Sequence, residues 1–133
     1  MFFYELKNVR TNNPTWTTAA KKVASDWNYK AVAAASDGSF FGMKSNGSLD
    51  YHKFGGFSQN GAPLWKTQNG FGSNWGFSHI IAVGSSSLCG LSKDGRLFYY
   101  NYTKNRDGSL SWNVAGKKIG SGSSVRNLAA LAN

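Results

Sequence analysis

Side chains that could catalyse a reaction are few in this sequence of 133 residues. Three of its six acidic residues, Asp37, Asp94 and Asp107, precede a glycine, where aspartate favours turn geometry. This leaves no obvious carboxylate pair of the kind that hydrolyses glycosides. The two histidines, His52 and His79, lie in no motif with a nearby serine, cysteine or acid. We therefore expect that the protein is not an enzyme.

Metal and phosphate binding are not indicated either. The single cysteine, Cys89, excludes an internal disulfide and a cysteine metal cluster, and two histidines are too few for a metal site. Gly72, Gly76 and Gly90 do not form a phosphate-binding loop, because no helix is predicted after them. The sequence predicts no cofactor.

The composition indicates a folded protein. Hydrophobic residues make up 41% of the chain and aromatic residues 15%, which excludes a disordered polymer. No apolar run approaches the roughly 20 residues that span a bilayer. The first five residues lack the basic and apolar segments of a secretory signal, so none is predicted. Both a cytoplasmic and a secreted location remain open.

The charge is strongly positive. Fifteen Lys and Arg residues against six Asp and Glu give a formal charge of +9, which predicts attraction to nucleic acid, anionic lipid or acidic glycans. No block of five basic residues exists, however, and the densest clusters are Lys21-Lys22 and Lys117-Lys118. A soluble surface that is simply cationic is the plainer interpretation.

An internal repeat organises the chain. Residues 36–51 align with residues 84–99 at an offset of 48 (84 against 36), and residue types with turn and core roles agree along the alignment. The matched pairs are Gly42 and Gly90, Asn46-Gly47 and Asp94-Gly95, Leu49 and Leu97, and Tyr51 and Tyr99. Partial copies occur at both ends. The sequence therefore predicts a partial repeat 1–28, complete repeats 29–76 and 77–124, and a partial repeat 125–133.

Each complete repeat is predicted to contain four strands. Asn46-Gly47 and Asp94-Gly95 are interpreted as two-residue turns with positive φ at both positions, which join short apolar runs. The strands are expected at 29–35, 39–45, 48–54 and from Trp65 in one repeat, and at 77–83, 87–93, 96–102 and from Trp112 in the other.

One segment favours a helix when it is considered alone. Residues 16–35 are rich in Ala and Lys, which are good helix formers. Their repeat partners exclude a helix, because residues 78–83 are rich in β-branched side chains and residues 114–119 contain a glycine. The whole chain is therefore predicted to be all-β.

Four-stranded repeats of about 47 residues with recurring Trp and Gly are typical of a β-propeller, in which each repeat forms one blade. The end segments add two strands and one strand, so the chain holds fewer than three blades, whereas propellers typically have at least about four. An open stack of blades exposes unpaired sheet edges. We therefore expect closure by oligomerisation, most simply a head-to-tail homodimer in which terminal strands complete a shared blade. A longer parent chain is the alternative.

The repeat has a recognisable pattern: an aliphatic strand that begins with Trp, a polar turn with a second Trp, and an Asn/Asp-Gly turn followed by Leu and Tyr. The segments that carry it are residues 26–29, 37–38 and 46–52, and again residues 72–77 and 94–100. This pattern resembles the tachylectin-type β-propeller lectins over nearly the whole chain. The resemblance implies a non-catalytic lectin for N-acetylated sugars, such as N-acetylglucosamine or N-acetylgalactosamine, with one shallow site per blade or blade junction. The last copy of the turn, residues 120–124, has no Trp, which implies a lost site there.

Sugar recognition needs a flat aromatic surface, together with fixed polar groups for the hydroxyls and the acetamide. Trp27 next to Asp26 and Asn28, and Trp75 next to Asn74, offer that combination. Packing between blades is an equally good interpretation of both tryptophans. The sequence thus predicts two candidate sugar sites without deciding the role of their rings.

Two residue pairs on the third strands are further candidates. Tyr51-His52 and Tyr99-Tyr100 alternate across a strand, so one residue of each pair should face outward. An outward side chain could extend a sugar pocket, although plain surface is the commoner outcome. On the fourth strands, packing between blades is expected for Trp16, Trp65 and Trp112.

Two other functions stay open from the sequence. Basic residues with exposed Trp and Tyr could bind the phosphates and stack on the bases of a nucleic acid, although the Lys and Arg residues are scattered. A structural or protein-docking propeller is the other possibility. Sugar-inhibited agglutination would identify a lectin, and steeply salt-dependent oligonucleotide binding would identify a nucleic-acid-binding protein.

Overall fold

Ten β-strands and no helix make up the described part of the structure, a computed structural model that describes residues 1–7, 10 and 15–122. The strands are β1 Phe2–Lys7, β2 Thr15–Lys22, β3 Ala31–Ala34, β4 Ser39–Met43, β5 Leu49–Phe57, β6 Pro63–Gly72, β7 His79–Val83, β8 Ser87–Leu91, β9 Leu97–Lys104 and β10 Leu110–Gly120. The all-β prediction is confirmed. The described residues include no helix that is long and apolar enough to cross a bilayer.

The chain divides into two compact units, of which the first comprises residues 1–28 and 55–64. It contains β1 and β2, which form an antiparallel two-stranded sheet. Extra residues on β2 shift the register between Phe3 and Leu6, and Ala20 on β2 has a φ of 54°. The irregularity therefore belongs to β2, and β1 keeps a regular alternation of faces.

The second compact unit comprises residues 29–54 and 65–133. Beyond β1 and β2, the chain forms two four-stranded sheets, in the order β3-β4-β5-β6 and β7-β8-β9-β10. Each strand lies beside its neighbour in sequence, so both sheets are simple meanders. Consecutive four-stranded meanders agree with a β-propeller-like fold. The repeat boundaries and closure by a second copy stay predictions.

The eight strands predicted for the complete repeats are confirmed, with small differences at their ends. The first strands begin two residues later than predicted, at Ala31 and His79, and the fourth strands begin two residues earlier, at Pro63 and Leu110. The segment 16–35 holds strand residues and no helix. The strand predicted within residues 125–133 lies outside the described residues.

The prediction of positive φ at both positions of Asn46-Gly47 and of Asp94-Gly95 is wrong. Only the glycines have it, with φ of 82° and 80°. In the first turn, Gly47 N donates to Lys44 O at 3.0 Å and Lys44 N donates to Ser48 O at 2.8 Å. These bonds close a three-residue loop, a type I turn followed by a left-handed glycine. Asn46 favours it because its Oδ1 accepts a bond from Ser48 N at 3.0 Å.

Side chains from both four-stranded sheets form one core in the second compact unit. Phe41 on β4 is fully buried, and its ring lies 5.3 Å from the ring of Tyr51 on β5 and 5.3 Å from that of Tyr102 on β9. Cys89 occupies the position on β8 that matches Phe41, and it is a buried free thiol whose pKa is raised by burial. This core holds the facing surfaces of the two sheets in place.

Candidate functional site

A pocket of about 170 Å³ lies between these two sheets, within the second compact unit. One wall is β6 with the adjoining β5, and the other wall is the loop that joins β9 to β10. The lining residues are Tyr51, Lys66, Thr67, Gln68, Asp107, Gly108 and Ser109. Most of the lining is polar: Lys66, Thr67, Gln68, Asp107 and Ser109 contribute polar side chains, and Gly108 belongs to the polar β9–β10 loop.

The loop between β9 and β10 is shaped by its own sequence. Asn105 N donates to Ser109 O and Gly108 N donates to Asn105 O, both at 2.8 Å, and Gly108 has a φ of 77°. Ser109 donates twice to Asp107 Oδ1, from its backbone N at 2.8 Å and from Oγ at 2.7 Å. These Ser109 bonds lower the pKa of Asp107, so the carboxylate is ionised at neutral pH.

Lys66 connects β6 to this loop. Its Nζ donates to the backbone oxygen of Asp107 at 2.5 Å. A Cβ added at Gly108 would overlap Lys66 Nζ, so the close approach of the lysine requires glycine at this position, as the positive φ also does. The position of the ammonium group is therefore coupled to the conformation of the loop.

Gln68 and Tyr51 form the more rigid part of the pocket. The Gln68 amide bonds both backbone groups of Leu110: Leu110 N donates to Oε1 at 2.8 Å, and Nε2 donates to Leu110 O at 3.3 Å. Leu110 is buried in the core, which holds its backbone in place. The Gln68 side-chain amide therefore cannot rotate without breaking both bonds. Burial raises the pKa of Tyr51, which keeps its hydroxyl protonated.

The pocket offers several hydrogen-bonding groups. Asp107 supplies a carboxylate acceptor, Lys66 an ammonium donor, and Thr67, Gln68 and Ser109 supply neutral groups. Glycoside hydrolysis would need a second carboxyl group across the sugar, and none is among the lining residues.

A second polar cluster lies within the sheet β3-β4-β5-β6. Asp50 on β5 is only 1% exposed. Its carboxylate accepts bonds from Tyr29 Oη at 3.0 Å, from Gly70 N at 2.9 Å and from Ser48 Oγ at 3.4 Å. Lys44 Nζ lies 2.6 Å from its Oδ2 and forms an ion pair. The buried charge is therefore compensated from several directions.

His52 extends the cluster on the same strand. Its Nε2 lies 2.6 Å from Tyr29 Oη, and its Nδ1 lies 3.0 Å from Thr67 Oγ1. Because the single hydroxyl hydrogen of Tyr29 is donated to Asp50, Nε2 must carry the hydrogen that bonds Tyr29 Oη. Nδ1 then accepts from the Thr67 hydroxyl. This assigns the neutral Nε2–H tautomer to His52.

The pKa values in the cluster follow from burial and from these bonds. Burial alone would raise the pKa of Asp50, but the hydrogen bonds from Lys44, Gly70 and Tyr29 outweigh it and leave the pKa below its ordinary value. Burial lowers the pKa of His52. Burial, followed by the bond to Asp50, raises the pKa of Tyr29 to about 12.

The polar groups of the cluster bond one another and the backbone of the sheet. In the part of the chain that the structure describes, no buried side-chain N or O atom lacks a hydrogen-bond partner, so no orphan group awaits a ligand. Among those residues no three His, Cys, Asp or Glu side chains lie close enough together to hold a metal ion. Because Asp50 and His52 are buried, whereas the pocket beside Gln68 is open to a ligand, the pocket is the better candidate site.

The structure places Trp75 in the core. It is 3% exposed, and its ring lies 4.3 Å from Tyr100 and nearly parallel to Trp112 at 5.8 Å. A ring without an open face cannot stack on a sugar, so packing is the role that the geometry supports. The neighbouring Asn74 is exposed with a φ of 61°, and Trp75 N donates to Gly47 O at 2.9 Å.

The matching turn around Trp27 has a similar backbone. Asp26 has a φ of 59°, and Asn28 N donates to Asp26 O at 2.9 Å. Asp26 and Asn28 are exposed, and Trp27 is half-buried. This turn keeps the predicted combination of an aromatic ring with polar neighbours.

The expectation that one residue of Tyr51-His52 faces outward is wrong. Both are buried, because both faces of β5 are covered: Tyr51 packs against Phe41, and His52 lies between Tyr29 and Thr67. Of the nine residues predicted to bind sugar, only Tyr51 lines the pocket.

Tyr99 and Tyr100 are both half-buried, so neither face of β9 is fully open at this point. Tyr99 Oη is 2.9 Å from Ser87 Oγ, and the ring of Tyr100 packs against Trp75. Their side chains join the sheet and the core, and they lie outside the pocket lining.

The tryptophans of the fourth strands differ from one another. Trp112 on β10 stacks on Phe71 on β6 of the other sheet at 4.0 Å, as predicted. Trp65 packs 5.0 Å from Phe54 within its own sheet, so packing between blades stays a prediction for this residue. Trp16 is exposed, so the prediction that it packs between blades is wrong for this residue. Its sheet has only two strands, which leaves little surface to cover the ring.

Sequence reasoning missed most of the pocket. The sequence indicates only a strand for the residues on β6 and only a turn for Asp107. One signal was available: polar loops of equal length, 58–62 and 105–109, recur between the third and fourth strands, each with Gly at its fourth position. Recurring polar loops at a sheet edge are common places for binding residues.

Comparison with known proteins identifies the family. The Tachylectin family model matches residues 2–128, nearly the whole chain. The chain belongs to the tachylectin family. Tachylectins are lectins, so membership indicates carbohydrate binding by a generally non-catalytic protein, and it confirms the resemblance seen in the repeat. No curated protein and no solved structure matches this tachylectin.

Proposed function

We propose that this tachylectin binds an N-acetylated hexosamine, N-acetylglucosamine or N-acetylgalactosamine, in the pocket between β6 and the β9–β10 loop, without catalysis. The observation that carries the proposal is the convergence of polar groups from two sheets on one small pocket. Ligand sites are commonly concave and contain a few well-positioned polar groups.

The size and chemistry of the pocket suit one sugar residue. A volume of about 170 Å³ is smaller than the roughly 300–1,000 Å³ of sites for drug-sized ligands, which favours a single ring over an extended oligosaccharide. The hydroxyls of Thr67 and Ser109 and the Asp107 carboxylate can bond sugar hydroxyls. The Gln68 amide can bond an acetamide group.

The exposed polar turn residues remain candidates for a second class of contact. Asp26 and Asn28 beside Trp27, and Asn74 beside the buried Trp75, lie on solvent-accessible turns. We propose that each of these turns contacts glycan on its own, and we assign the Trp75 ring to the core. Self-association of the chain would make binding multivalent and raise its avidity by roughly a hundredfold or more.

The test uses two substitutions that the chain already tolerates elsewhere. The loop 58–62 has Asn60 and Ala62 where the pocket loop has Asp107 and Ser109. The variants D107N and S109A should therefore fold, and we expect each to weaken N-acetylglucosamine binding by about tenfold in a titration, since each removes one polar group from the pocket.

The matched control is D94N, which changes a turn aspartate that pairs with Arg96 and is not among the pocket-lining residues. It should bind sugar like the native chain. Unchanged binding by D107N and S109A would place the sugar elsewhere, and the Asp26–Asn28 turn would then be the next region to substitute.

Nucleic-acid binding is the second candidate, and the charge of +9 is the observation that favours it. If it were the main function, oligonucleotide binding would weaken steeply with salt and would not respond to N-acetylhexosamine. We expect glycan binding that changes little between low and moderate salt, because neutral sugars release no counterions.

A further inference from the structure

The outer edge of β1 is an unusual surface in the first compact unit. In the part of the chain that the structure describes, β2 is the only strand paired with β1. An unpaired edge presents a row of backbone donors and acceptors that can pair with another strand. The question is whether β1 is built as a terminal strand or as an interior one.

The register shows that β1 is built as an interior strand. The pairs in β1–β2 recur in β9–β10 at an offset of 96 (98 against 2), so β1 corresponds to β9. The matching pairs are Phe2 with Lys22 and Phe98 with Lys118, Phe3 with Lys21 and Tyr99 with Lys117, and Leu6 with Trp16 and Tyr102 with Trp112. β9 pairs with β8 on its other side.

Exposure of the side chains leads to the same conclusion. Phe98 and Tyr100 on β9 are half-buried, and their rings pack 5.6 Å from Phe77 and 4.3 Å from Trp75. The corresponding residues of β1, Phe2 and Tyr4, are 58% and 54% exposed. Two large aromatic side chains in a row thus lack the cover that their counterparts have.

The exposed aromatics share one face of β1. Tyr4 lies 5.5 Å from Trp16, which is also exposed, so three rings form an apolar patch. Phe3 points to the other face, where its ring lies 5.5 Å from that of Phe57. The patch and the open edge are adjacent, which is the arrangement expected for a strand-pairing surface.

We propose that the β1 edge pairs antiparallel with β1 of a second copy about a two-fold axis. The product is a continuous sheet in the order β2-β1-β1-β2. It has four strands, like the other two sheets of the chain. A two-fold axis pairs each surface with itself, so both open edges are closed in one step.

The register of this pairing follows from geometry and charge. The axis is perpendicular to the sheet, and opposed residues must lie on the same face, so the sum of their numbers is even. A sum of 8 sets Tyr4 opposite Tyr4 of the second copy and Phe2 opposite Leu6 of the second copy. A sum of 10 would set Glu5 opposite Glu5 of the second copy, and like charges directly opposite are destabilising.

The test uses Tyr4, which lies opposite Tyr4 of the second copy in the proposed pairing. Its side chain is more than half exposed, so substitution should leave the fold intact, as circular dichroism can verify. We expect the native chain to form a dimer in sedimentation equilibrium. Y4K and Y4E should each weaken the dimer by about tenfold or more, because like charges then meet at the axis. An equimolar mixture of Y4K and Y4E should recover a dimer that contains one copy of each.

Two controls separate this interface from other modes of association. I119K adds a charge at an exposed apolar position of β10 and should not change the dimer. L128K alters the terminal segment expected in a head-to-tail ring and should not change it either. A dimer that is lost in L128K but kept in Y4K would overturn the proposal in favour of the head-to-tail ring, and a native chain that is monomeric at every concentration would overturn it outright. Sugar binding by the monomeric Y4K variant tests the pocket separately.

Discussion

The two four-stranded sheets have the same strand order, and in both an aromatic ring covers a glycine at an equivalent position. The aromatic residue and its neighbours differ between the sheets. A glycine on the second strand, Gly42 in β4 and Gly90 in β8, lies under an aromatic ring from the segment before the sheet. That ring is Tyr29 over Gly42 and Phe77 over Gly90. Each ring requires the absence of a side chain beneath it, so the repeat conserves the shape of this contact.

The residues around the two rings differ in polarity. Beside Tyr29 lie the charged Asp50 and the neutral His52, both held by hydrogen bonds. At the matching positions β9 has Phe98 and Tyr100, whose rings pack against Phe77. The same backbone is therefore compatible with a hydrogen-bonded polar cluster or with an aromatic one, and the fold does not depend on the buried charge. A buried ion pair is weak evidence for stability, although breaking one is costly.

The largest expected effect comes from the single substitution D50F, which gives the first sheet the phenylalanine that the second sheet has at the matching position, Phe98. D50F removes the carboxylate and leaves Tyr29 Oη and Gly70 N without their acceptor, and Lys44 without its ion-pair partner. We expect a loss of about 3–5 kcal/mol in the free energy of unfolding, measured by urea titration.

Transplanting the whole aromatic cluster should reverse that loss. In the triple variant Y29F/D50F/H52Y, all three positions match the second sheet, and replacing a buried polar group by packed apolar residues is often neutral or stabilising. A triple variant as unstable as D50F would mean that the two clusters are not interchangeable and that the comparison fails.

A smaller effect is expected at the shared glycine. A Cβ in G90A would overlap the Phe77 ring, and Phe77 is buried, so it has little room to move. We expect a loss of about 1–3 kcal/mol from overpacking. The cost should be non-additive in the double variant F77A/G90A, because the alanine at position 77 has no ring for the new Cβ at position 90 to overlap.

The smallest expected effect is a pH dependence of the free energy of unfolding. It arises from His52 in the first sheet, because the second sheet has Tyr100 at the matching position. His52 has a lowered pKa in the folded state, so the unfolded chain binds a proton more readily. As pH falls below 6.5, the ordinary pKa of histidine, the free energy of unfolding should decrease until the folded-state pKa is reached. Urea titrations between pH 7.5 and 5 should show this slope.

The variant H52Y, which has the residue of the second sheet, should lose the slope within that pH range. The contribution of Asp50 is distinguishable because it is lost only when the pH falls below 3.8, the ordinary pKa of aspartate. An unchanged slope in H52Y would assign the pH dependence to another group.

Much of the fold could be predicted from the sequence because the repeat supplied independent evidence for each strand. The Ala-rich segment 16–35 alone favours a helix, and its repeat partners, the β-branched 78–83 and the glycine-containing 114–119, indicate a strand. Turn geometry was harder, since Asn46-Gly47 suits both a two-residue turn and the observed three-residue loop, and hydrogen bonds such as that of Lys44 to Ser48 decide between them.

The candidate site could not be predicted in the same way. Its two walls, around Gln68 and Asp107, are not equivalent positions of the repeat, so no comparison of one repeat with the next brings them together. Tyr51-His52 misled for a related reason: alternation along a strand predicts one covered face, whereas both faces of this sheet are packed. Contacts between sheets, and not the sequence pattern of one strand, determine which residues a ligand can reach.

The buried thiol of Cys89 gives the second sheet an internal reporter. It is the only thiol in the chain, so any reaction with a maleimide or disulfide reagent has a single origin. Its burial and raised pKa suppress reaction in the closed state. The labelling rate of the native protein therefore measures how often β8 opens to solvent, without a fluorophore or an engineered residue.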